Sequence, residues 1–134
     1  MSSIYIATAD ITDKMISQFY DRNDSRISSW DGRVDAEVNR VAISLGVDIA
    51  DIDTSPLNDK VKEYALAYLG MMVCFDNRYG NNNDQIIDKY KNGYEDYLAA
   101  ISRIASQLTA EMFTEAESSL DAEDAIGQGV LWRA

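Results

Sequence analysis

The sequence predicts an all-α fold: a small bundle of about four helices with an extended C-terminal arm. Three observations predict it. Apolar residues recur at helical spacing in four separate segments, the connectors between them are short, and no pair of alternating apolar runs offers partner strands. At 134 residues, with 46% hydrophobic residues, the chain suits one domain with a real core.

Thr8 reads as the N-cap of the first helix, with Asp10 placing negative charge in its first turn. Ile11, Met15 and Phe19 then share one face. Asp21 to Asp31 is a polar connector. It opens like a calcium loop, but Arg26 stands where that loop needs glycine and Gly32 where it needs glutamate, so it reads as a turn. The second helix is expected from about Asp31 to Leu45, with a stripe of Val34, Val38, Val41, Ala42 and Leu45 and a stop at Gly46. Val47 to Thr54 is an acidic connector with a short strand-like alternation at Val47, Ile49 and Ile52.

The third helix has the strongest start signal, Ser55 as N-cap and Pro56 at the first helical position. Leu57, Val61, Tyr64, Ala65, Tyr68, Met72 and Phe75 follow at helical spacing. Residues 65–75 are apolar nearly all round, which predicts a central helix touched on several sides. Residues 79–84 form a turn, and Asn83 is placed to cap a fourth helix from about Asp84 to Leu108. Its stripe runs Ile87, Tyr90, Tyr94, Tyr97 or Leu98, Ile101, Ile104, Ala105 and Leu108. Gly93 interrupts it at about 1 kcal/mol, which predicts a kink or a close helix contact.

The bundle domain is accordingly residues 1–109, and residues 110–134 form an acidic arm. The arm holds six acids against one base, Arg133, and ends in the apolar tip Val130-Leu131-Trp132. Trp beside Arg is the residue chemistry of interface hot spots. The tip is either a docking hook or a tail that folds back on its own bundle.

The composition excludes much chemistry. The chain has no histidine, so Ser-His-Asp and Cys-His mechanisms and the HExxH zinc site are absent. Cys74 is the sole cysteine; its apolar neighbours Met72, Val73 and Phe75 read as those of a buried structural thiol. No intramolecular disulfide can form, which suits a reducing compartment. No phosphate-binding glycine pattern occurs, and no carboxylate pair stands out among 23 acids. The expectation is a protein that is not an enzyme, with no catalytic, cofactor-binding or metal residues. Asp48, Asp51, Asp53 and Asp59 could gather a hard cation, but their spacing reads as a solvated loop. The net charge of −11 disfavours direct grip on nucleic acid and anionic membranes. The start of the chain lacks a signal-peptide pattern, and no apolar run is long enough to span a membrane. Folding in a cytoplasm is expected.

Two clusters remain as candidate contact residues. Tyr90, Tyr94 and Tyr97 share spacing on the fourth helix, as Tyr64 and Tyr68 do on the third, which suits core or subunit-interface packing. Arg33 and Arg40 flank Glu37 on the second helix, as a surface ion-pair ladder or as a face for an acidic partner.

The order of elements resembles the head-tail connector, or adaptor, subunits of long-tailed bacteriophages. The likeness covers roughly residues 4–108. It begins at Tyr5-Ile6-Ala7-Thr8-Ala9-Asp10-Ile11 and continues in the Val/Ala/Leu helix 34–45. It extends through Ser55-Pro56-Leu57-Asn58-Asp59-Lys60-Val61 and its Ala/Tyr/Leu-rich helix, to Lys89-Tyr90-Lys91-Asn92-Gly93-Tyr94 and the helix that follows. Val47 to Thr54 is shorter than the loop relatives often carry, and nothing after Leu108 aligns.

The resemblance implies a virion protein, assembled in the bacterial host cytoplasm and sited at the head-tail junction. It implies a ring of copies, commonly twelve, under the portal, extending the DNA channel and offering a platform to the stopper or tail proteins. DNA would pass without specific binding, and no membrane is involved. Val130, Leu131, Trp132 and Arg133 would then dock on the portal, and Arg33, Arg40, Tyr90 and Tyr94 would lie between copies. The alternative function is a small acidic regulatory binding protein, an inhibitor or DNA mimic occupying a basic cleft.

Overall fold

A computed structural model of the chain describes residues 3–77 and 84–114. The described residues are all-helical, with no strand among them. Four helices of eight or more residues make the bundle: α1 Lys14–Asp21, α2 Ile27–Ser44, α3 Asp59–Asn77 and α4 Asp84–Ala105. A short α5, Ala110–Thr114, follows. The turn at 79–83 with its Asn83 cap, the side chain of Ile87, and residues 115–134 with their Val130–Arg133 tip lie outside the described residues.

Helix α3 is central, as its all-round apolar sequence demands. Tyr64 meets Glu37, and Trp30 meets Asp76, so α2 runs antiparallel along one side of α3. Tyr97 lies over Gly70, and Cys74 over Gly93, so α4 runs antiparallel along another. Helix α1 bridges the two flanks: Phe19 packs against Trp30 of α2, ring centroids 5.7 Å apart and edge-on, and against Tyr90 of α4 at 6.2 Å. The stripe Val34, Val38, Val41 and Ala42 is buried, joined by Val61, Ala65, Leu69, Met72 and Val73 from α3.

Several starts and stops differ from the expectation. The first helix is capped by Asp13, whose carboxylate accepts from the Met15 N–H at 2.9 Å. Thr8–Asp10 is only a 3-10 turn, and Ile11 lies outside the helix. An Asx side chain one residue before the helix outcompetes a threonine six residues upstream. The connector after α1 ends at Arg26, and Trp30 and Asp31 belong to α2 and are buried. Tyr20 donates to Asp31 at 2.9 Å, which gives the buried carboxylate a partner.

Ser55 and Pro56 do not start α3; their peptide bond is cis, and both lie in the preceding turn. Asn58 is the cap: its side chain accepts from the Lys60 N–H at 2.8 Å, and its carbonyl from the Lys62 N–H at 3.0 Å. The strand-like alternation after Gly46 is a 3-10 turn, Ile49–Asp51.

Gly46 does stop α2, with φ at +85°. The Val47 N–H bonds the Ala42 carbonyl and the Gly46 N–H that of Ile43, the two bonds of a Schellman ending. Leu45 leaves the stripe and is over a third exposed. Gly93 marks a close helix contact: a Cβ there would lie 2.7 Å from Met15 Cε and 2.9 Å from Cys74 Sγ.

The boundary at 109/110 falls inside packed structure. Phe113 is buried, and its carbonyl accepts from the Asp53 N–H at 2.8 Å. The bundle therefore extends through Thr114. Met112 and Phe113 supply apolar anchors within a segment whose acids suggest an arm.

Candidate protein-contact surfaces

The seam between α3 and α4 has two edges of different character. The inner edge is glycine-tight. A Cβ at Gly70 would fall inside the van der Waals envelope of the Tyr97 ring, and Gly93 makes the same room for Cys74 and Met15. Burial pushes the Cys74 thiol up to about 12, with the charges of Asp13 and Asp96 adding to it. The thiol is a packing group, not a nucleophile. Tyr97 donates its hydroxyl to Asp13, and burial first, then that carboxylate, raises its pKa.

The outer edge is apolar and open. Phe75 is 44% exposed and packs against half-buried Tyr94, ring centroids 5.7 Å apart. Met71 lies one turn before Phe75 on α3, and Leu98 one turn after Tyr94 on α4. Met71 is half-buried and Leu98 is 43% exposed. Aromatic residues and methionine are among the types enriched at protein–protein interfaces.

Tyr94, expected in core or subunit-interface packing, is half-buried, and Met71 and Leu98 join Phe75 as partly exposed apolar groups of this edge. The signal in the sequence was the all-round apolarity of α3: a helix with too many apolar faces for three neighbours leaves one outside. Tyr90 takes the core alternative. It is buried against Phe19, and Gln18 donates to its hydroxyl at 3.1 Å.

The Arg33–Glu37–Arg40 ladder has one rung. Arg40 Nε and Nη2 donate to Glu37 at 2.8 and 2.6 Å, and the Tyr64 hydroxyl donates to the same carboxylate at 2.7 Å. Both oxygens of Glu37 are thus engaged. Exposed Arg33 has no described carboxylate within ion-pair distance. Burial alone would raise the Glu37 pKa. The hydrogen bonds from Arg40 and Tyr64 outweigh it and hold the carboxyl below its ordinary value. The cluster ties α2 to α3, and Arg33 is left as the exposed cation of that face.

A second tie sits at the other end of α2. Arg26 pairs with Asp24 at 3.0 Å, donates to Asn77 at 3.0 Å, and lies 5.0 Å over the Trp30 ring. Trp30 Nε1 donates to Asp76 at 2.6 Å.

Among the described residues no three carboxylates or thiols gather to hold a metal ion. Asp48, Asp51 and Asp59 are exposed, and Asp53 accepts from the Ser55 N–H at 2.9 Å. No described helix is long and apolar enough to cross a membrane. The tip residues Val130, Leu131, Trp132 and Arg133 lie outside the described residues. Comparison with protein-family models, with curated proteins and with solved structures finds no match to the chain.

Proposed function

We propose that this chain is a head-tail connector (adaptor) subunit of a long-tailed bacteriophage. It assembles as a ring of copies, on the order of a dozen, beneath the portal, and it carries out no catalysis. The observation that carries the reading is the pair of partly exposed apolar side chains Phe75 and Leu98, beside half-buried Met71 and Tyr94, on an otherwise acidic chain. Such a surface suits a protein partner, and the net charge of −11 disfavours nucleic acid. The likeness of residues 4–108 to the connector family supplies the specific assignment. Exposed Arg33 fits the acidic surface of a neighbouring copy. A net charge of −11 suits a channel wall that DNA must pass without adhering.

In this role the ring lengthens the DNA channel and presents a platform to stopper or tail proteins, and the Val130–Arg133 tip engages the portal. Size-exclusion chromatography of the full chain mixed with portal rings tests the proposal. Co-elution is expected, with loss of binding when 125–134 is deleted. No co-elution overturns the connector assignment, and full binding after the deletion overturns the role of the tip.

A further inference from the structure

Between the Asp10–Asp13 loop, α1, α3 and α4 lies a cleft of about 240 Å³. Its floor is apolar, built from Ile11, Ile16, Leu66, Ala67, Ala100 and Ile104. Its rim holds the carboxylates Asp10, Asp13 and Glu63 beside the Arg103 guanidinium; Asp10 also lies 3.6 Å from Lys62, Glu63 lies 3.2 Å from Lys60, and Asp13 accepts from the Tyr97 hydroxyl. The volume falls below the ~300–1,000 Å³ of small-molecule and cofactor pockets. It corresponds to roughly eight waters at ~30 Å³ each, which is room for one large side chain and a small neighbour. The two lysine pairs are partly exposed and leave their carboxylates open to a further cation, so a fitting occupant brings apolar surface and a positive charge together.

The chain carries one such segment. Val130-Leu131-Trp132-Arg133 joins three apolar residues to the sole base of 110–134. The 15 residues from 115 to 129 tether it to the end of α5. Extended, that tether reaches about 50 Å, against the ~30 Å across a small domain. As a coil it spans about 20 Å, which sets a millimolar effective concentration for any site on the bundle.

We propose that the tip of the chain's own C-terminal segment seats in this cleft, with Trp132 on the apolar floor and Arg133 against the Asp10, Asp13 and Glu63 rim. The five acids of the tether, Glu115 to Asp124, oppose an acidic rim, so the tip alone holds the contact and a stronger partner displaces it. The proposal does not depend on the connector reading, because its test contains no portal.

The test is ¹⁹F NMR of the full chain labelled with 5-fluorotryptophan. The chain has two tryptophans, and fully buried Trp30 serves as an internal control of folding. The Trp132 signal is expected at a buried position with little H₂O/D₂O solvent shift. Ala100→Lys, which places a bulky cation in the cleft against the apolar floor and Arg133, is expected to move it to the exposed position and leave Trp30 unmoved. Should that variant disturb Trp30, Arg133→Glu, which alters no residue of the bundle, is read instead and is expected to lower the docked fraction several-fold. A solvent-exposed Trp132 in the unmodified chain overturns the proposal, as does a signal indifferent to Arg133→Glu. A buried signal lost on dilution also overturns it, because the occupant is then a second copy.

Discussion

The inner and outer edges of the α3–α4 seam use the same two helices for opposite ends. On the inner edge glycines at 70 and 93 let Tyr97, Cys74 and Met15 pack close against the facing backbone. On the outer edge Phe75, Tyr94, Met71 and Leu98 stay half open to solvent. The inner edge determines whether the chain folds. The outer edge costs the free subunit little and gains its value only when another surface covers it.

Substitution separates the two edges. Gly70→Ala is expected to have the largest effect on stability. The new methyl meets a rigid ring held by its hydroxyl on Asp13, and overpacking of that kind costs about 1–3 kcal/mol in chemical denaturation. Gly93→Ala is expected to cost less. Its methyl meets the mobile end of Met15 as well as Cys74, and alanine recovers about 1 kcal/mol of helix propensity. Leu98→Ser on the outer edge is expected to change stability by only about 0.5 kcal/mol. If Leu98→Ser destabilises as much as Gly70→Ala, the two edges are not distinct.

Cys74 reports on the inner edge without mutation. Its buried thiol, with a pKa pushed up to about 12, is expected to resist a thiol reagent at pH 8 until denaturant opens the bundle. Rapid labelling of the native chain would mean a loose seam.

The smallest expected effect is on acid stability and lies away from the seam. Hydrogen bonds from the Arg26 side chain and backbone hold the Asp24 carboxyl down to about 2. Its folded pKa is lower than its unfolded one, so its contribution is present above the ordinary carboxylate range and is lost as pH falls towards 2. Asp24→Asn is expected to flatten the stability profile between about pH 4 and 2, measured by urea denaturation at each pH. An unchanged profile would show that the Arg26 pair contributes nothing.

Element type and order were legible in the sequence because four apolar stripes at helical spacing have one economical packing. Boundaries were less so. Asp13 and Asn58 were overlooked as caps because Thr8 and Ser55-Pro56 carry the same signal a few residues earlier, and only backbone hydrogen bonds distinguish them. Trp30 and Asp31 read as polar connector because the partners that bury them, Asp76 and Tyr20, come from other elements. Gly93 was legible as a close contact, whereas Gly70 was not, since its need arises from Tyr97, 27 residues later in the chain. The outer edge was half legible. Phe75 and Tyr94 follow the helical spacing of the core stripes, and only the packing distinguishes partly exposed Phe75 and Leu98 from core residues of the same composition.

The most direct measurement is sedimentation velocity of portal–subunit mixtures with the full chain and with the double variant Phe75→Ser/Leu98→Ser, alongside thermal melts of each alone. The expected result is a ring complex for the unmodified chain. The double variant is expected to melt cooperatively at nearly the same temperature and to form no closed ring on the portal. A double variant that assembles as completely as the unmodified chain would contradict the assignment of the outer edge to subunit contact.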